Sequence, residues 1–272
     1  MTCKICNTTT HKISERLVLQ KYTVAYHQCA NCHFIQTDEP FWLEESYNTA
    51  ITALDIGLVN RNIYFQSKIP QVIDSFFPSA NIMLDFGGGY GMFVRMMRDL
   101  GYNFFRQDNY CENIFSNYFD LNDAPTRKFD VLTAFEVFEH LDHPLLEIEK
   151  MLAFSDNIIF STVLSPPTTQ EFENWWYVSP VIGQHIAFYD QTTLQYIATK
   201  FGKKMYSNGV NLHVFAAKEI DPGVVNRIFS EPKKPILQRV IDRLLMKKQA
   251  SARTSLIQKD YEFIEKKITN KT

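Results

Sequence analysis

Short apolar runs and stretches of helical spacing alternate through the middle of the chain. Residues 82–84 form the first apolar run, and apolar side chains then recur at helical spacing over residues 92–100. Further apolar runs occupy residues 103–107, 129–134, 158–161 and 212–217, and a second helical stretch covers residues 194–201. Strands that alternate with helices in this way are typical of a mostly parallel sheet. The pattern therefore predicts an α/β fold, with the last of these strands antiparallel.

The segments that flank this body have patterns of their own. Apolar residues recur at helical spacing with few breakers over residues 41–78, which predicts helices that lead into the sheet. In the tail, residues 236–245 and 256–268 have the apolar stripes of two amphipathic helices. These changes predict four units: a module of residues 1–40, a helical lead-in of residues 41–80, the sheet domain of residues 81–218 and a helical tail of residues 219–272.

Composition and charge narrow the class of protein. The chain has 272 residues, of which 45% are hydrophobic, so it can bury one large core. Residues 222–272 hold 12 Lys and Arg against 5 Asp and Glu, which leaves residues 1–221 with a net charge of −9. This acidic body argues against a nucleic-acid partner, and the tail helices offer a surface for a homo-oligomer. No uncharged run approaches the roughly 20 residues that span a bilayer, so we expect a cytoplasmic protein without a transmembrane segment.

Four of the five cysteines form two pairs with the spacing of a zinc site. Cys3 and Cys6 make the first C-x2-C pair, Cys29 and Cys32 make the second, and 22 residues separate the two pairs. Such pairs bring four thiolates around one Zn²⁺ in a closed structural site with no open position for catalysis. Two disulfides are the alternative, which a cytoplasmic location disfavours. We expect this module to depend on its metal for folding.

A glycine-rich turn follows the first strand of the predicted sheet. Residues 85–91 read Asp-Phe-Gly-Gly-Gly-Tyr-Gly and run directly into a predicted helix. A strand, a glycine turn and a helix N-terminus together bring backbone N–H groups close to a ligand. The dinucleotide spacing G-x-G-x-x-G fails, because the third glycine position, counted from Gly87, falls on Met92. Asp108 ends the next strand, 23 residues beyond Asp85, where an acid can bind ribose hydroxyls.

A second acidic segment follows the strand at residues 129–134. Glu136, Glu139 and His140 stand at spacings i, i+3 and i+4, so one helical turn would place them on one face. The carboxyl ends of parallel strands carry the ligand site of such sheets. These three residues are candidate catalytic residues and a candidate second metal site for Mg²⁺ or another divalent ion. An alternative without metal stays open, in which Glu139 and His140 belong to a helix start and His185 is the general base.

The glycine turn resembles motif I of the class I S-adenosylmethionine-dependent methyltransferases. This resemblance implies a Rossmann-like, mostly parallel seven-stranded sheet, here preceded by the small N-terminal zinc module with its four cysteines and followed by the helical tail. It also implies that the cofactor S-adenosylmethionine binds at the turn and near the ends of the following strands. The residues expected to contact it are Asp85, Gly87, Gly88, Gly89, Gly91, Asp108, Phe135 and Arg61.

The segment Glu136-x-x-Glu139-His140 is similar to that of the ubiquinone-pathway O-methyltransferases and of the small-RNA 2′-O-methyltransferases. In these enzymes a metal holds an oxygen nucleophile, and in the RNA enzymes a second histidine completes the metal site. Here Gly183-Gln184-His185 would supply that histidine, after the aromatic run Trp175-Trp176-Tyr177. The likeness implies methyl transfer to oxygen.

The order of the cysteine module, the glycine turn, the Glu-His segment and the aromatic run resembles bacterial sugar and cell-surface polysaccharide methyltransferases over residues 1–218. This resemblance implies O-methylation of a small phosphate- or nucleotide-linked sugar or glycan precursor for capsule or lipopolysaccharide synthesis. It implies a lid over cofactor and substrate that contains Tyr47, Asp55, Arg61 and Asn62, and it makes Tyr177 a further candidate catalytic residue. The alternatives are N- or C-methylation of a sugar, an RNA methyltransferase and a non-catalytic binding module.

Overall fold

A computed structural model describes residues 1–47, 54–230 and 254–269, and these residues contain two β-sheets. The smaller sheet is antiparallel and has the order β1-β2-β3-β8. Three of its strands come from the N-terminal module: β1 (Thr10–Val18), β2 (Tyr22–Cys29) and β3 (Ile35–Thr37). The fourth, β8 (Ala187–Phe188), comes from the body of the chain. The cysteine module therefore shares a sheet with the segment that directly follows His185.

The larger sheet has six strands in the described part of the chain, in the order β5-β4-β6-β7-β10-β9. Strands β5, β4, β6 and β7 are parallel, whereas β10 is antiparallel to both β7 and β9. This confirms the mostly parallel, Rossmann-like sheet and its late antiparallel strand. The strand bounds are β4 (Met83–Phe86), β5 (Phe104–Gln107), β6 (Val131–Phe135), β7 (Ile158–Ser161), β9 (Lys204–Ser207) and β10 (Leu212–Ala216).

The expectation of seven strands is wrong for the described residues. The outer edge of β5 carries a single parallel bridge, between Arg106 and Asp120, in place of a further strand. A short 3₁₀ helix at Leu121–Asp123 begins immediately after this bridge. The carboxylate of Asp123 accepts the N–H of Asp120 at 3.0 Å. This capping bond begins a tight helical turn, so the residues after the bridge do not continue as an extended strand beside β5.

Helices cover the larger sheet and connect it to the N-terminal module. The predicted lead-in contains α1 (Leu43–Ser46) and α2 (Leu58–Phe76). The remaining helices are α3 (Met92–Asp99), α4 (Pro144–Phe154), α5 (Thr169–Glu173), α6 (Gln191–Lys200), α7 (Pro222–Phe229) and α8 (Ile257–Thr269). The predicted helix at residues 236–245 lies outside the described residues. Within the described ranges, no helix combines the length and apolarity needed to cross a bilayer.

The last helix is attached to the body by a buried ion pair. Asp260 on α8 accepts two hydrogen bonds from Arg98 on α3, at 2.8 and 2.7 Å, and both side chains are almost fully buried. Arg95 adds a third bond at 2.9 Å. A charge pair removed from water in this way stabilises only when its remaining donors are satisfied. Arg98 meets this condition, because it also donates to the side chain of Asn103 and the carbonyl of Phe104.

Candidate active site

The glycine turn lies between β4 and α3, at the carboxyl end of the parallel strands. Gly91 precedes α3 with a φ of 84°, and a Cβ there would lie 2.3 Å from Oγ of Ser116. Gly87 has a φ of 70°, and a Cβ there would lie 2.7 Å from a methyl carbon of Val137. Both positions combine a left-handed backbone with a close neighbour, so only glycine fits.

Most N–H groups of the turn are bonded within the protein. The N–H groups of Gly87 and Gly88 both donate to the carbonyl of Gln107, and the N–H of Gly91 donates to the carbonyl of Gly88. The expectation that these N–H groups face a ligand is therefore wrong for these three residues. The turn closes on itself and on the end of β5, and the absence of side chains lets Val137, Arg106 and Ser116 pack directly against its backbone.

Asp85 is buried beneath the turn. Its carboxylate accepts a 2.6 Å hydrogen bond from the hydroxyl of Thr133, and burial raises its pKa to about 7. A Cβ on Gly88 would lie 2.8 Å from its other oxygen. Asp85 therefore supports the shape of the turn from the side of the sheet.

Asp108 links the glycine turn to the segment after β5. One carboxylate oxygen accepts the N–H of Gly89 at 2.9 Å. The other accepts the N–H groups of Tyr110 and Cys111, at 2.8 and 2.7 Å. Asp108 also lines the cavity described next.

A cavity of about 1520 Å³ extends from the glycine turn to the segment that carries His185. All the residues expected to contact the cofactor line this cavity except Gly91. Arg61 is paired with Asp55 through a 2.7 Å bond. Phe135 is stacked on Phe65, with ring centroids 4.0 Å apart, and forms a flat apolar part of the wall.

The residues expected to form a lid also line the cavity. The ring of Tyr47 is stacked on that of Tyr110, with centroids 5.4 Å apart, so the lead-in contacts the segment after β5. The Tyr47 hydroxyl lies 3.1 Å from Nδ1 of His140. Asn62 donates to the carbonyl of Leu58 within its own helix.

Glu136 does not lie on a helical turn with Glu139 and His140, so that expectation is wrong. Its φ is 54°, in the left-handed region, and a 3₁₀ helix at Phe138–His140 follows. Two bonds with Ser161 on the neighbouring strand β7 hold it there: its N–H donates to the Ser161 hydroxyl at 2.8 Å, and that hydroxyl donates to its carboxylate at 2.6 Å. Burial, reinforced by Glu139, raises the pKa of Glu136 to about 7.

Glu139, His140 and His185 form the cluster of titratable groups at the other end of the cavity. One ligand atom from each lies within 4.8 Å of the other two, and Glu136 is outside this group. Glu139 is fully buried, and neither of its carboxylate oxygens has a hydrogen-bond partner among the described residues. Desolvation raises its pKa to about 7.

Hydrogen bonds to backbone carbonyls orient both imidazole rings. Nδ1 of His185 lies 2.5 Å from the carbonyl oxygen of Tyr177, and Nδ1 of His140 lies 3.1 Å from that of Gln184. Because a carbonyl can only accept, we assign the proton to Nδ1 and the lone pair to Nε2 in each ring. Burial lowers the pKa of both histidines, so the rings are neutral at pH 7. Metal-binding histidines have this same arrangement.

Two hydroxyl groups face the buried carboxylate of Glu139. The side chains of Tyr177 and Thr162 lie near enough to lower its pKa slightly against the effect of burial, but neither hydroxyl meets hydrogen-bond geometry. Burial raises the pKa of Tyr177 well above its usual value. Tyr177 is therefore a neutral neighbour of Glu139.

The loop that carries His185 is held by the N-terminal part of the chain. The indole N–H of Trp42 donates to the carbonyl of Gly183, and the side-chain amide of Gln184 donates to the carbonyl of Ser46, both at 2.8 Å. Trp42, Gln184 and Ser161 were not singled out by the sequence. Only Ser161 had an available signal, since it ends a predicted strand at the carboxyl edge of the sheet.

Two further contacts fix the same loop from the other side. The N–H of Ile186 donates to the carbonyl of Glu139 at 2.9 Å. The next two residues form β8, in which Phe188 pairs with Ile35 and Ala187 pairs with Gln36 of β3. His185 is therefore held between the Glu139 segment and the sheet of the cysteine module.

The four paired cysteines come together in the structure. Their sulfur atoms lie within 4.8 Å of one another, with Cys3 3.5 Å from Cys32 and Cys6 3.3 Å from Cys29. None of them forms a disulfide. Four thiolates at this separation can hold one Zn²⁺ in the tetrahedral arrangement of a structural site.

The parallel sheet, the glycine turn, the acid after the next strand and the cavity at the carboxyl ends of the strands define a Rossmann-like nucleotide-binding class. A family model described as a methyltransferase domain matches residues 61–208, which is more than half of the chain. The chain belongs to this family, and its body is a class I S-adenosylmethionine-dependent methyltransferase domain. No curated protein sequence matches the chain.

Several solved structures have a similar body. The mitomycin 7-O-methyltransferase MmcR is 13% identical with a TM-score of 0.41, and the match covers 65% of this chain and 60% of that one. The plantazolicin methyltransferase BpumL, solved with SAH, is 11% identical with a TM-score of 0.45. This match covers 66% of this chain and 95% of that one. An O-methyltransferase family 2 protein from Planctomyces limnophilus, in complex with apigenin, is 12% identical with a TM-score of 0.45. This match covers 60% of each chain. At these TM-scores the likenesses carry no information on the acceptor of this chain.

Proposed function

We propose that this chain transfers a methyl group from S-adenosylmethionine to a hydroxyl oxygen of a small-molecule acceptor. The family match supports the cofactor. The cavity supports two ligands side by side, since about 1520 Å³ exceeds the roughly 300–1,000 Å³ of a typical site for one small molecule. Bound S-adenosylmethionine supplies an electrophilic methyl group on a positively charged sulfur. The task of the protein is then to orient the acceptor oxygen and remove its proton.

The observation that carries this proposal is the environment of Glu139. A fully buried carboxylate without a hydrogen-bond partner is costly, and such groups in folded proteins call for an explanation. Two neutral imidazoles lie within 4.8 Å of it, and each has its Nε2 lone pair free of hydrogen bonds from the described residues. This arrangement suits a positive charge or a proton placed between the three side chains.

We further propose that Glu139, His140 and His185 hold a divalent cation. One carboxylate oxygen and two imidazole nitrogens form a ligand set that suits Mn²⁺, Fe²⁺ or Zn²⁺ better than the oxygen-preferring Mg²⁺. Such a cation, when bound, lowers the pKa of a hydroxyl that contacts it. The bonds from Nδ1 of His140 and His185 to backbone carbonyls would fix both ligands in orientation.

A second candidate is the same reaction without a metal, with His185 as the general base. The bond from its Nδ1–H to the carbonyl of Tyr177 leaves Nε2 as the basic nitrogen. In this version the carboxyl of Glu139 stabilises the imidazolium that forms when His185 takes the proton.

The proposed acceptor class is a sugar or glycan precursor. The sequence resemblance is its main support. Within the site, the exposed rings of Trp176 and Tyr110 at the cavity support it as well. Aromatic faces suit polar ligands with CH-rich surfaces.

The test is transfer of labelled methyl from S-adenosylmethionine to a panel of sugars and glycosides. We expect transfer by the Mn²⁺-loaded protein, loss of transfer after mild chelation that leaves the zinc of the cysteine module in place, and recovery when Mn²⁺ is added back. Calorimetry provides a readout independent of activity, and should detect a Mn²⁺ site in the parent protein but not in Glu139→Gln. Full transfer after chelation, together with no Mn²⁺ binding, would contradict the metal and leave His185 as the base.

A further inference from the structure

Every cationic side chain that lines the cavity is already paired with an acid. Among the described residues these are Arg61 and Lys150. Arg61 is bonded to Asp55 at 2.7 Å, and Lys150 is bonded to Glu147 at 2.7 Å. Each of these two positive charges is therefore matched by a carboxylate of the protein before a ligand binds, and residues 48–53 contain no Lys or Arg.

Acidic side chains outnumber the cations along the same walls. Asp85 and Glu136 line the cavity with pKa values that burial raises to about 7. Five further acids line it as well: Glu44, Asp55, Asp108, Asp142 and Glu147. Among the described residues the lining therefore holds more carboxyl groups than cations, which favours the positively charged sulfur of the cofactor and disfavours a phosphate group as long as no divalent cation is bound.

One acid of this wall, Asp142, follows His140 by two residues. The ammonium group of Lys4, from the cysteine module, is bonded to Asp142. That pair is only partly buried, and Lys4 also approaches Glu39 at 3.9 Å. The positive charge of Lys4 is therefore shared between two carboxylates.

Large apolar side chains surround the cavity mouth. Ile56 is 90% exposed, Trp176 is 75% exposed and Tyr110 is 73% exposed, and all three line the cavity, together with the half-exposed Phe115. Isolated exposed apolar residues are common on protein surfaces, but a group that rims a ligand cavity marks a binding surface. The Trp176 ring contacts that of Tyr177, with centroids 5.4 Å apart, and Tyr177 contacts His185 at 4.7 Å, so this member of the rim adjoins the acceptor end of the cavity.

We propose that the acceptor is an uncharged or cationic molecule without a phosphate, and that an apolar or aromatic portion of it rests on the rim of Ile56, Tyr110, Phe115 and Trp176. This inference rests on the proposed function and revises one part of it, because it excludes the phosphate- and nucleotide-linked acceptors that the sequence resemblance implies. A glycoside with an aromatic aglycone satisfies both the sugar expectation and the charge of the site.

Three matched probes test the inference on the protein loaded with SAH: 4-methylumbelliferyl glucoside, its 6-phosphate and methyl glucoside. By calorimetry the first should bind at least about tenfold more tightly than its 6-phosphate, because like charges in a binding site are strongly unfavourable. The ratio should fall as salt is raised, since salt screens charge repulsion. Methyl glucoside, which has no apolar portion, should bind more weakly than the first probe.

Two variants separate the charge effect from the apolar effect. The double variant Asp142→Asn/Glu147→Gln removes two acids from the lining and the partner of Lys150, so it should improve binding of the 6-phosphate. Trp176→Ala should weaken binding of 4-methylumbelliferyl glucoside but not of methyl glucoside. Because Trp176 is 75% exposed, this change leaves the core intact.

The outcomes that overturn the inference are distinct from failure of the proposed function. A 6-phosphate that binds as tightly as its parent, with or without Mn²⁺, would overturn it, and so would an absence of binding by the uncharged probe. A dimer in light scattering that dissociates in Trp176→Ala would show that the rim is covered by a second copy of the chain, which also overturns it. A protein that fails to bind SAH at all contradicts the methyltransferase function itself.

Discussion

Replacement of His185 by Ala is expected to lower kcat for methyl transfer by about 10²- to 10⁴-fold, the usual contribution of a positioned acid–base group. His185 has a direct role in both versions of the mechanism. It is a ligand in the metal version and the base in the other, and its ring is fixed by the bond from Nδ1 to the carbonyl of Tyr177. The dissociation constant of SAH should stay unchanged, because His185 lies at the acceptor end of the cavity. The measurement is kcat and KM for labelled methyl transfer, with calorimetry for SAH.

His143→Ala is the matched control for this change. His143 lines the same cavity, but its side chain is 62% exposed and it is outside the cluster of Glu139, His140 and His185. Its removal should leave kcat close to that of the parent protein. Equal losses in the two variants would show that the cluster has no special role, and a His185→Ala protein with the parent kcat would refute the proposed site.

Cys29→Ser is expected to remove zinc and, with it, most of the transferase activity. Structural Zn²⁺ in small cysteine modules contributes on the order of 10–16 kcal/mol of binding free energy that is also folding free energy. The effect should extend beyond the module, because β3 pairs with β8 directly after His185 and because Trp42 and Gln184 bond across the same boundary. Hydrogen exchange should therefore increase both in β1–β3 and around residues 183–188.

Cys111→Ser is the control for the cysteine prediction. Cys111 is the one cysteine outside the cluster, and its side chain is partly buried in the cavity wall. Its replacement should leave the zinc content and the exchange of residues 183–188 as in the parent protein. If Cys29→Ser kept stoichiometric zinc by elemental analysis, the four-cysteine zinc site would be wrong; if it lost zinc but kept full activity, the module would not position His185.

Features that depend on local pattern were predictable from the sequence. Strand β7 has the predicted bounds, 158–161, because a short run of β-branched and aromatic residues fits only a buried strand. The helix after the glycine turn begins at Met92 as expected, since Gly91 supplies the left-handed residue before it. The cysteine spacing predicted a cluster that the structure brings together.

Features that depend on contacts between distant segments were not predictable. The spacing of Glu136, Glu139 and His140 suggested one helical face, but the bonds between Glu136 and Ser161 on another strand hold Glu136 in a left-handed conformation. The pairing of β8 with β3 joins residues about 150 positions apart in the chain, and such pairing has no local signature. The seventh strand was expected from the family likeness, but after one bridge to β5 the chain enters the 3₁₀ helix at Leu121–Asp123.

The residues that hold His185 were missed for a related reason. Nothing in the sequence distinguishes Trp42 and Gln184 from other buried or loop residues. They hold the His185 loop through hydrogen bonds to the carbonyl groups of Gly183 and Ser46. The proton positions on His140 and His185 likewise follow from carbonyl partners in separate loops. Sequence patterns identify the titratable groups of a site, whereas the backbone around them decides which atoms are available for chemistry.

The central claim is that the methyl donor binds at the glycine turn with Asp108 as its acidic contact, and calorimetric titration with SAH tests it most directly. The parent protein should bind SAH at one site, and Asp108→Ala should weaken binding at least about tenfold, or about 1.4 kcal/mol, because three backbone N–H groups lose their acceptor. Glu147→Ala, which removes an acid from the acceptor end of the same cavity, should leave the dissociation constant unchanged. A parent protein that does not bind SAH, or an Asp108→Ala protein that binds it as tightly as the parent, would contradict the account.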